Sequence, residues 1–357
     1  MIKKDKIVTG LDIGSSKIAA ISAKTERDGN LAVLAQASQS SAGISRGVIT
    51  DFPDAARSVS GALKKLKSKV AGAPGEIYVN ISGEGIRGSK SIGMIPLALR
   101  GREITRLDMA RCANAASTIT LPFDREIIHR IVRKFSADDQ PWIKSPLGLY
   151  ASRLSCEVYV ITADINQIQN IYKCVGNAGY DVKEIVYTGI ADGAALLEKE
   201  EGEEGALILN MGSSLTEVSI FFDGILNDLD VIPTGANDVR GAILDSAELK
   251  AVIARVNAKI QDFARIGGRV KTVTITGGIA FVDSIAEYLE SSLQCPVKMG
   301  VAKDIRGNIS GIDSMKLSTS IGLVKYASSR RETRPLSGKG IANRISTAVV
   351  DIFNNYF

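Results

Sequence analysis

The chain is poor in the residues from which metal clusters, disulfide scaffolds and membrane spans are made. It has one histidine, His129, and four cysteines, Cys112, Cys156, Cys174 and Cys295, which lie far apart with no C-x-x-C pair. Neither a zinc site nor a disulfide framework is indicated. His129 has no second histidine with which to share a metal and sits in an alternating segment, so it reads as structural. No run approaches the roughly 18 consecutive apolar residues of a spanning helix. Behind the basic start of the chain, Asp12 and a Ser-Ser turn interrupt the apolar segment, which argues against a secretion signal and predicts a cytoplasmic chain. The net charge of +5 comes without an aromatic-interleaved basic patch, so nucleic acid is not an expected partner. What is present is an ordinary soluble composition over 357 residues, enough for two domains with real cores.

The most informative feature is a repeat. Leu11-Asp12-Ile13-Gly14-Ser15-Ser16-Lys17-Ile18 returns in weakened form as Leu209-Asn210-Met211-Gly212-Ser213-Ser214-Leu215-Thr216. Each copy is an apolar run, an Asp or Asn, a tight Gly-Ser-Ser turn and a second apolar run. The pattern predicts a β-hairpin whose turn presents backbone N–H groups and hydroxyls, a means of holding phosphate. Asp12 is suited to hold a divalent cation through water, and Lys17 adds a point charge. A third element, the strand 271–275 followed by Thr276-Gly277-Gly278 and a helix expected over 279–291, brings backbone close to a ligand beside a helix N-terminus. Together these predict duplicated halves facing each other across a nucleotide. The candidate contacts are Asp12, Gly14, Ser15, Ser16, Lys17, Asn210, Gly212, Ser213, Ser214, Thr216, Gly235, Gly277 and Gly278.

Apolar spacing predicts strands over 6–11, 17–23, 31–38 and 76–82, with a turn at Asp28-Gly29-Asn30. It predicts helices over 58–70, 166–178 and 247–263. Residues 83–162 break the rhythm. A glycine-rich strand over 83–95, a helix over 105–117 capped by Thr105, and strands over 126–135 and 153–162 predict an inserted α+β subdomain. Residues 328–339 read as a basic linker. Residues 340–357 are amphipathic. Ile341, Ile345, Val349, Ile352, Phe353 and Tyr356 share one face and Phe357 ends it, as suits a helix lying in a membrane surface.

In this order, the two loops and the Thr-Gly-Gly turn resemble the actin-like ATPase superfamily. Within it the chain resembles the bacterial cell-division family FtsA. Beyond the loops, the resemblance rests on Gly43-Ile44-Ser45-Arg46-Gly47-Val48-Ile49, Tyr78-Val79-Asn80-Ile81-Ser82-Gly83, Arg125-Glu126-Ile127-Ile128-His129, Asp138-Asp139-Gln140 and Lys144-Ser145-Pro146-Leu147-Gly148. It covers nearly the whole chain. It implies an α/β, actin-like fold of two duplicated ribonuclease-H-like domains, with a 1C-type insertion and a C-terminal membrane-targeting helix. Subdomain IA would take 1–82, 163–189 and part of 317–327, with the insertion at 83–162. Subdomain IIA would take 190–235 and 270–327, and IIB 236–269. It further implies ATP and Mg2+ as cofactors, with Asp12 meeting the metal through water. The implied partners are the tubulin-like FtsZ, membrane lipid, other division proteins through the insertion, and further copies in a filament, at the inner face of the cell membrane at the division site.

Two departures qualify those expectations. Asn210 stands where the family has an aspartate, and 236–269 has room for only one long helix. Relatives carry a fuller IIB there, which closes over adenosine and receives the FtsZ tail. Weak or altered ATP binding, with slow or absent hydrolysis, is therefore expected. An actin-like scaffold of pilus-assembly type is the alternative. A small-metabolite kinase of the superfamily would need an acceptor pocket with a catalytic carboxylate, and no such constellation is visible.

Overall fold

In the computed structural model, which describes residues 7–26, 31–239, 244, 246–307 and 309–332, the first apolar run is the strand Val8–Ile13. It pairs antiparallel with Lys17–Thr25, which pairs antiparallel with Leu31–Ser40. On the other side of Val8–Ile13, Glu76–Ile81 and then Val182–Tyr187 add in parallel. Val8, Leu11, Ile18 and Val79 are fully buried, as expected for a sheet covered on both faces. The second copy repeats this topology. Ala206–Met211, Thr216–Phe222 and Ile225–Ile232 form an antiparallel meander, and Thr272–Gly277 and Val297–Met299 add in parallel beside the first of them. Counted along the chain, both sheets run third, second, first, fourth, fifth, with Ile305–Arg306 added at one edge of the first. The repeat in sequence is thus a repeat of architecture.

Each half buries its sheet beneath a helix. In the first half it is Phe52–Lys67, which packs Val59, Ala62, Leu63 and Leu66 inward. Asp51 caps it by accepting from the Asp54 N–H at 3.0 Å. Pro53 sits in the first turn, where a missing N–H costs nothing. This cap moves the helix start back from the expected Ser58 to Phe52. In the second half the helix is Ala247–Arg265, capped by Ser246, with Leu249, Val252, Val256 and Phe263 set against Leu207, Ile220, Val273 and Ile275. Arg255 Nε meets Asp230 Oδ2 at 2.6 Å and Lys259 Nζ meets Asp228 Oδ2 at 3.0 Å, tying this helix to the outer strand. It is the one long helix among the described residues of 236–269.

The helix expected over 279–291 is a correction. A 3-10 turn, Gly278–Phe281, follows the strand, and the α-helix Ile285–Leu293 starts only afterwards. Val282 is extended and Ser284 has φ of 59°, so the two cannot run together as one helix.

Contacts divide the described residues into two units, 7–86 with 164–328, and 87–163 with 329–332. The second has a sheet of Arg87–Pro96, Arg153–Asp164 and Arg125–Ala137, in that order. The helix Arg106–Ser117 packs Met109, Cys112 and Ala116 into a core with Phe135, Leu154 and Val158. Thr105 and Asp108 form a reciprocal cap. Arg102 grips both oxygens of Asp108, at 2.7 and 2.6 Å, and holds that carboxyl well below the usual range. This is the inserted α+β subdomain. His129 is buried in its sheet, and burial, aided by the charge of Arg330, lowers its pKa to about 3. Cys112, Cys156, Cys174 and Cys295 are all buried and free. Among the described residues no helix is long and apolar enough to cross a membrane. Residues 328–332, expected as the start of the linker, instead continue the helix Ser318–Glu332, a correction. The turn expected at 28–30, the rest of the linker expected over 328–339 and the amphipathic segment with Ile341, Ile345, Val349, Ile352, Phe353, Tyr356 and Phe357 lie outside the described residues.

Candidate functional site

The two hairpin loops, the strand end at Gly277 and the start of the helix Ser318–Glu332 open on one cavity of about 430 Å3 in the first unit. Register places the polar groups there. The first loop closes through Gly14 N–H to Lys17 O at 3.1 Å, and the second through Gly212 N–H to Leu215 O at 2.8 Å. Asp12 and Asn210 each stand one residue before the last of their strand, opposite Ala19 and Glu217.

Asp12 is backed by Asn80 at the end of the neighbouring parallel strand. The Ile13 N–H donates to Asn80 Oδ1 at 2.7 Å, which fixes the amide. Asn80 Nδ2 then donates to Asp12 Oδ1 at 2.8 Å and to Thr188 Oγ1 at 3.3 Å. Burial raises Asp12 to about 6, against the opposing pull of Lys17 and Asn80. Burial also lowers Lys17, whose ammonium donates to the Lys316 carbonyl.

The second loop uses the same two chemistries in the reverse order. Asn210 Nδ2 donates to Asp192 Oδ2 at 2.6 Å, and Thr319 Oγ1 donates to Asp192 Oδ1 at 2.8 Å. Asp192 lies fully buried on the helix Thr188–Leu196. Burial raises it to about 7, outweighing the bonds from Thr319 and Asn210. Glu217, at 5% exposure, is pushed well above its ordinary value by burial and then by the charge of Asp192. Its carboxyl lies by the hydroxyls of Ser82 and Thr188, while Oε1 has no hydrogen-bond partner.

A turn from the first half joins the loops. The Arg46 N–H donates to Ser214 Oγ at 3.1 Å and the Gly47 N–H to Ser15 Oγ at 3.2 Å. Each serine accepts from backbone, which leaves its own O–H proton to be given to an anion. Behind the second loop, Ala236 N–H donates to Gly212 O and Asn237 N–H to Ser213 O, at 2.8 and 2.9 Å. A side chain at Gly235 would place its Cβ 2.3 Å from Ser214 N, so only glycine lets that brace approach. Gly277 has φ of 84°, and a Cβ there would lie 2.3 Å from Met211 O. Beyond it the wall is Gly278, Phe281, Met315 and Lys316, with Lys316 Nζ 5.6 Å from the Phe281 ring centre.

Of the sequence candidates, Asp12, Gly14, Ser15, Ser16, Lys17, Asn210, Gly212, Ser213, Ser214, Gly277 and Gly278 line the cavity. Thr216 and Gly235 do not. Thr216 is buried and donates its hydroxyl to Thr234 O at 2.7 Å, and Gly235 belongs to the brace. Asn80, Thr188, Glu217, Lys316 and Thr319 line the cavity too, and Asp192 stands behind it, though none is a sequence candidate. One of them carried a signal: Asn80 lies within the Tyr78 to Gly83 segment.

The lining suits a phosphate ester with a hydrated cation. Hydroxyls, loop N–H groups and Lys17 offer positive or donor character, and Asp12, Asn210 and the unpartnered Glu217 Oε1 offer oxygen. Among the described residues no three His, Cys, Asp or Glu side chains are grouped to hold a metal ion.

Comparison with known proteins agrees with this layout. The SHS2 domain inserted in FtsA, as a family, matches residues 83–162. The cell division protein FtsA of Pseudomonas aeruginosa is 25% identical over 377 aligned positions, covering 91% of this chain and 90% of that one. FtsA of Borreliella burgdorferi is 32% identical over 285 positions, 80% of this chain and 65% of the relative. FtsA of Neisseria meningitidis is 23% identical, covering 92% and 91%. Among solved structures, the PilM-PilN type IV pilus biogenesis complex aligns with a TM-score of 0.64 at 14% identity, covering 92% of this chain and 99% of that one. The ethanolamine utilization protein EutJ of Carboxydothermus hydrogenoformans aligns at 0.51 and 12% identity, covering 91% and 90%. At such identities the structures speak for the fold alone. The chain is a divergent relative of the FtsA cell-division proteins, an actin-like α/β fold of two duplicated halves into which their SHS2 domain is inserted.

Proposed function

We propose that this actin-like cell-division protein binds ATP with magnesium in the cavity between its two loops. It polymerises, and it anchors the FtsZ ring to the inner face of the cell membrane. The observation that carries the nucleotide reading is the convergence of both Gly-Ser-Ser loops and the Gly277-Gly278 turn on one cavity. The loop hydroxyls and Lys17 would hold the phosphates. Asp12 and Asn210 would accept hydrogen bonds from the water shell of the metal, and Gly277, Gly278 and Phe281 would face the nucleoside. When bound, a hydrated magnesium ion supplies positive charge to the phosphates. Hydrolysis is slow or absent, because a neutral amide stands at 210 and the described residues of 236–269 hold a single long helix. Membrane attachment falls to residues 341–357, multiplied by filament avidity.

Calorimetry of ATP with and without millimolar magnesium tests the first claim, and phosphate release tests the second. Weak but magnesium-dependent binding with little release is expected, and brisk turnover overturns the slow-hydrolysis reading. Pull-down with an FtsZ tail peptide tests the partner. Flotation of the full chain with anionic vesicles, against a chain ending at Ala327, tests the anchor. Membrane retention of the shortened chain would favour a pilus-type scaffold, for which the structural likeness speaks only through fold.

A further inference from the structure

We infer that Asp192 is a positioning residue of the second loop, its carboxylate standing one hydrogen bond behind Asn210 in place of the one that position lacks. This rests on the nucleotide reading above. Both oxygens of Asp192 are taken by donors, Oδ2 by Asn210 Nδ2 at 2.6 Å and Oδ1 by Thr319 Oγ1 at 2.8 Å. With its NH2 committed to Asp192, Asn210 must turn its own oxygen the other way. That oxygen lies beside Gly277, 2.7 Å from where a Cβ there would be, on the cavity wall.

The direction matters for a hydrated cation, whose waters point their protons outward. An amide oxygen accepts those protons and an amide NH2 cannot. Asp192 therefore does two things. It selects the useful face of Asn210, and it keeps a carboxylate close to the site. The first loop is the mirror of this arrangement. Its acid, Asp12, faces the cavity, and its amide, Asn80, stands behind at 2.8 Å, itself fixed by the Ile13 N–H. Each half thus carries one acid and one amide joined by one hydrogen bond, with the order exchanged.

The test uses the full chain and three proteins: wild type, Asp192→Asn, and the exchange Asp192→Asn with Asn210→Asp. ATP binding is measured by calorimetry with magnesium and with chelator, and melting is followed in the absence of nucleotide. Wild type is expected to bind more tightly with magnesium. Asp192→Asn is expected to lose about tenfold or more of that magnesium-dependent gain while its chelator-side affinity holds, a size usual for outer partners of a metal site. The exchange, which rebuilds the order of the first loop, is expected to recover the gain to within about threefold. Retention of the full magnesium gain by Asp192→Asn overturns the inference, as does a well-folded exchange variant that fails to recover it. If Asp192→Asn alone melts below the assay temperature, the exchange variant decides by the same criterion. Absence of ATP binding in folded wild type is a different result: it overturns the nucleotide reading and this inference with it.

Discussion

The two halves of the molecule share a strand order and a turn, yet they differ in which member of an acid–amide pair meets the cavity. In the first half a carboxylate faces inward and an amide supports it. In the second an amide faces inward and a buried carboxylate supports it. Backbone topology is therefore the tolerant part of the duplication, because it needs only apolar residues at fitting positions. The polar pairs are free to diverge, provided each buried donor still finds an acceptor. What the difference teaches is that position 210 is not simply a lost acid. It is half of a pair whose other half lies on a helix eighteen residues earlier in the chain.

The largest expected effect addresses whether the halves are equals. Leu63 and Leu249 are both fully buried on the inner faces of their helices, Phe52–Lys67 and Ala247–Arg265. Leu63→Ala and Leu249→Ala should each cost about 3 kcal/mol in urea unfolding. Both should preserve a single transition, because bonds such as that from Arg46 to Ser214 join the halves into one unit. A split transition in only one variant would show that the halves melt separately.

The next contrasts the loops themselves. Asp12→Ala should weaken magnesium-ATP binding about 100-fold and Asn210→Ala about tenfold by calorimetry, since one removes a charged acceptor and the other a neutral one. Equal losses would break the asymmetry.

The insertion offers a control outside the duplication. His129 titrates near 6.5 when unfolded and at about 3 when folded. The unfolded chain therefore takes up the proton first. Stability from this group is intact above about pH 6.5 and is lost as pH falls towards 3, by about 1.4 kcal/mol per unit. At pH 5 wild type should have lost about 2 kcal/mol relative to His129→Gln, read from urea midpoints at pH 7 and pH 5. A slope unchanged by the substitution would refute this.

The smallest effect is expected at the ties of the second helix. Arg255 is half exposed, so Arg255→Ala should cost no more than about 1 kcal/mol, less in high salt.

Local pattern revealed the hairpins, because a Gly-Ser-Ser turn between apolar runs has few other uses. It revealed Gly277 and Gly278 for the same reason. It did not reveal Asn80, Asp192, Glu217 or Thr319 as site residues. Their place depends on parallel pairing of Glu76–Ile81 with Val8–Ile13 and on helices returning from far along the chain, which no local window contains. The start of the helix at Phe52 was hidden because Pro53 looks like a break until Asp51 is seen as its cap. The helix expected after Gly278 failed for the opposite reason. Its apolar spacing is genuine, but the chain is extended at Val282 and left-handed at Ser284 before the helix begins.

The bond between Asn210 and Asp192 also constrains ancestry. Any path of single substitutions between the arrangement of the second loop and that of the first must pass through two acids or two amides at 2.6 Å contact. Two acids at that range repel unless they share a proton, and two amides leave the half without its charge. Each intermediate is handicapped although both ends are sound. Substitutions at 192 and 210 should therefore be strongly epistatic, and homologous chains should change the two positions together or not at all.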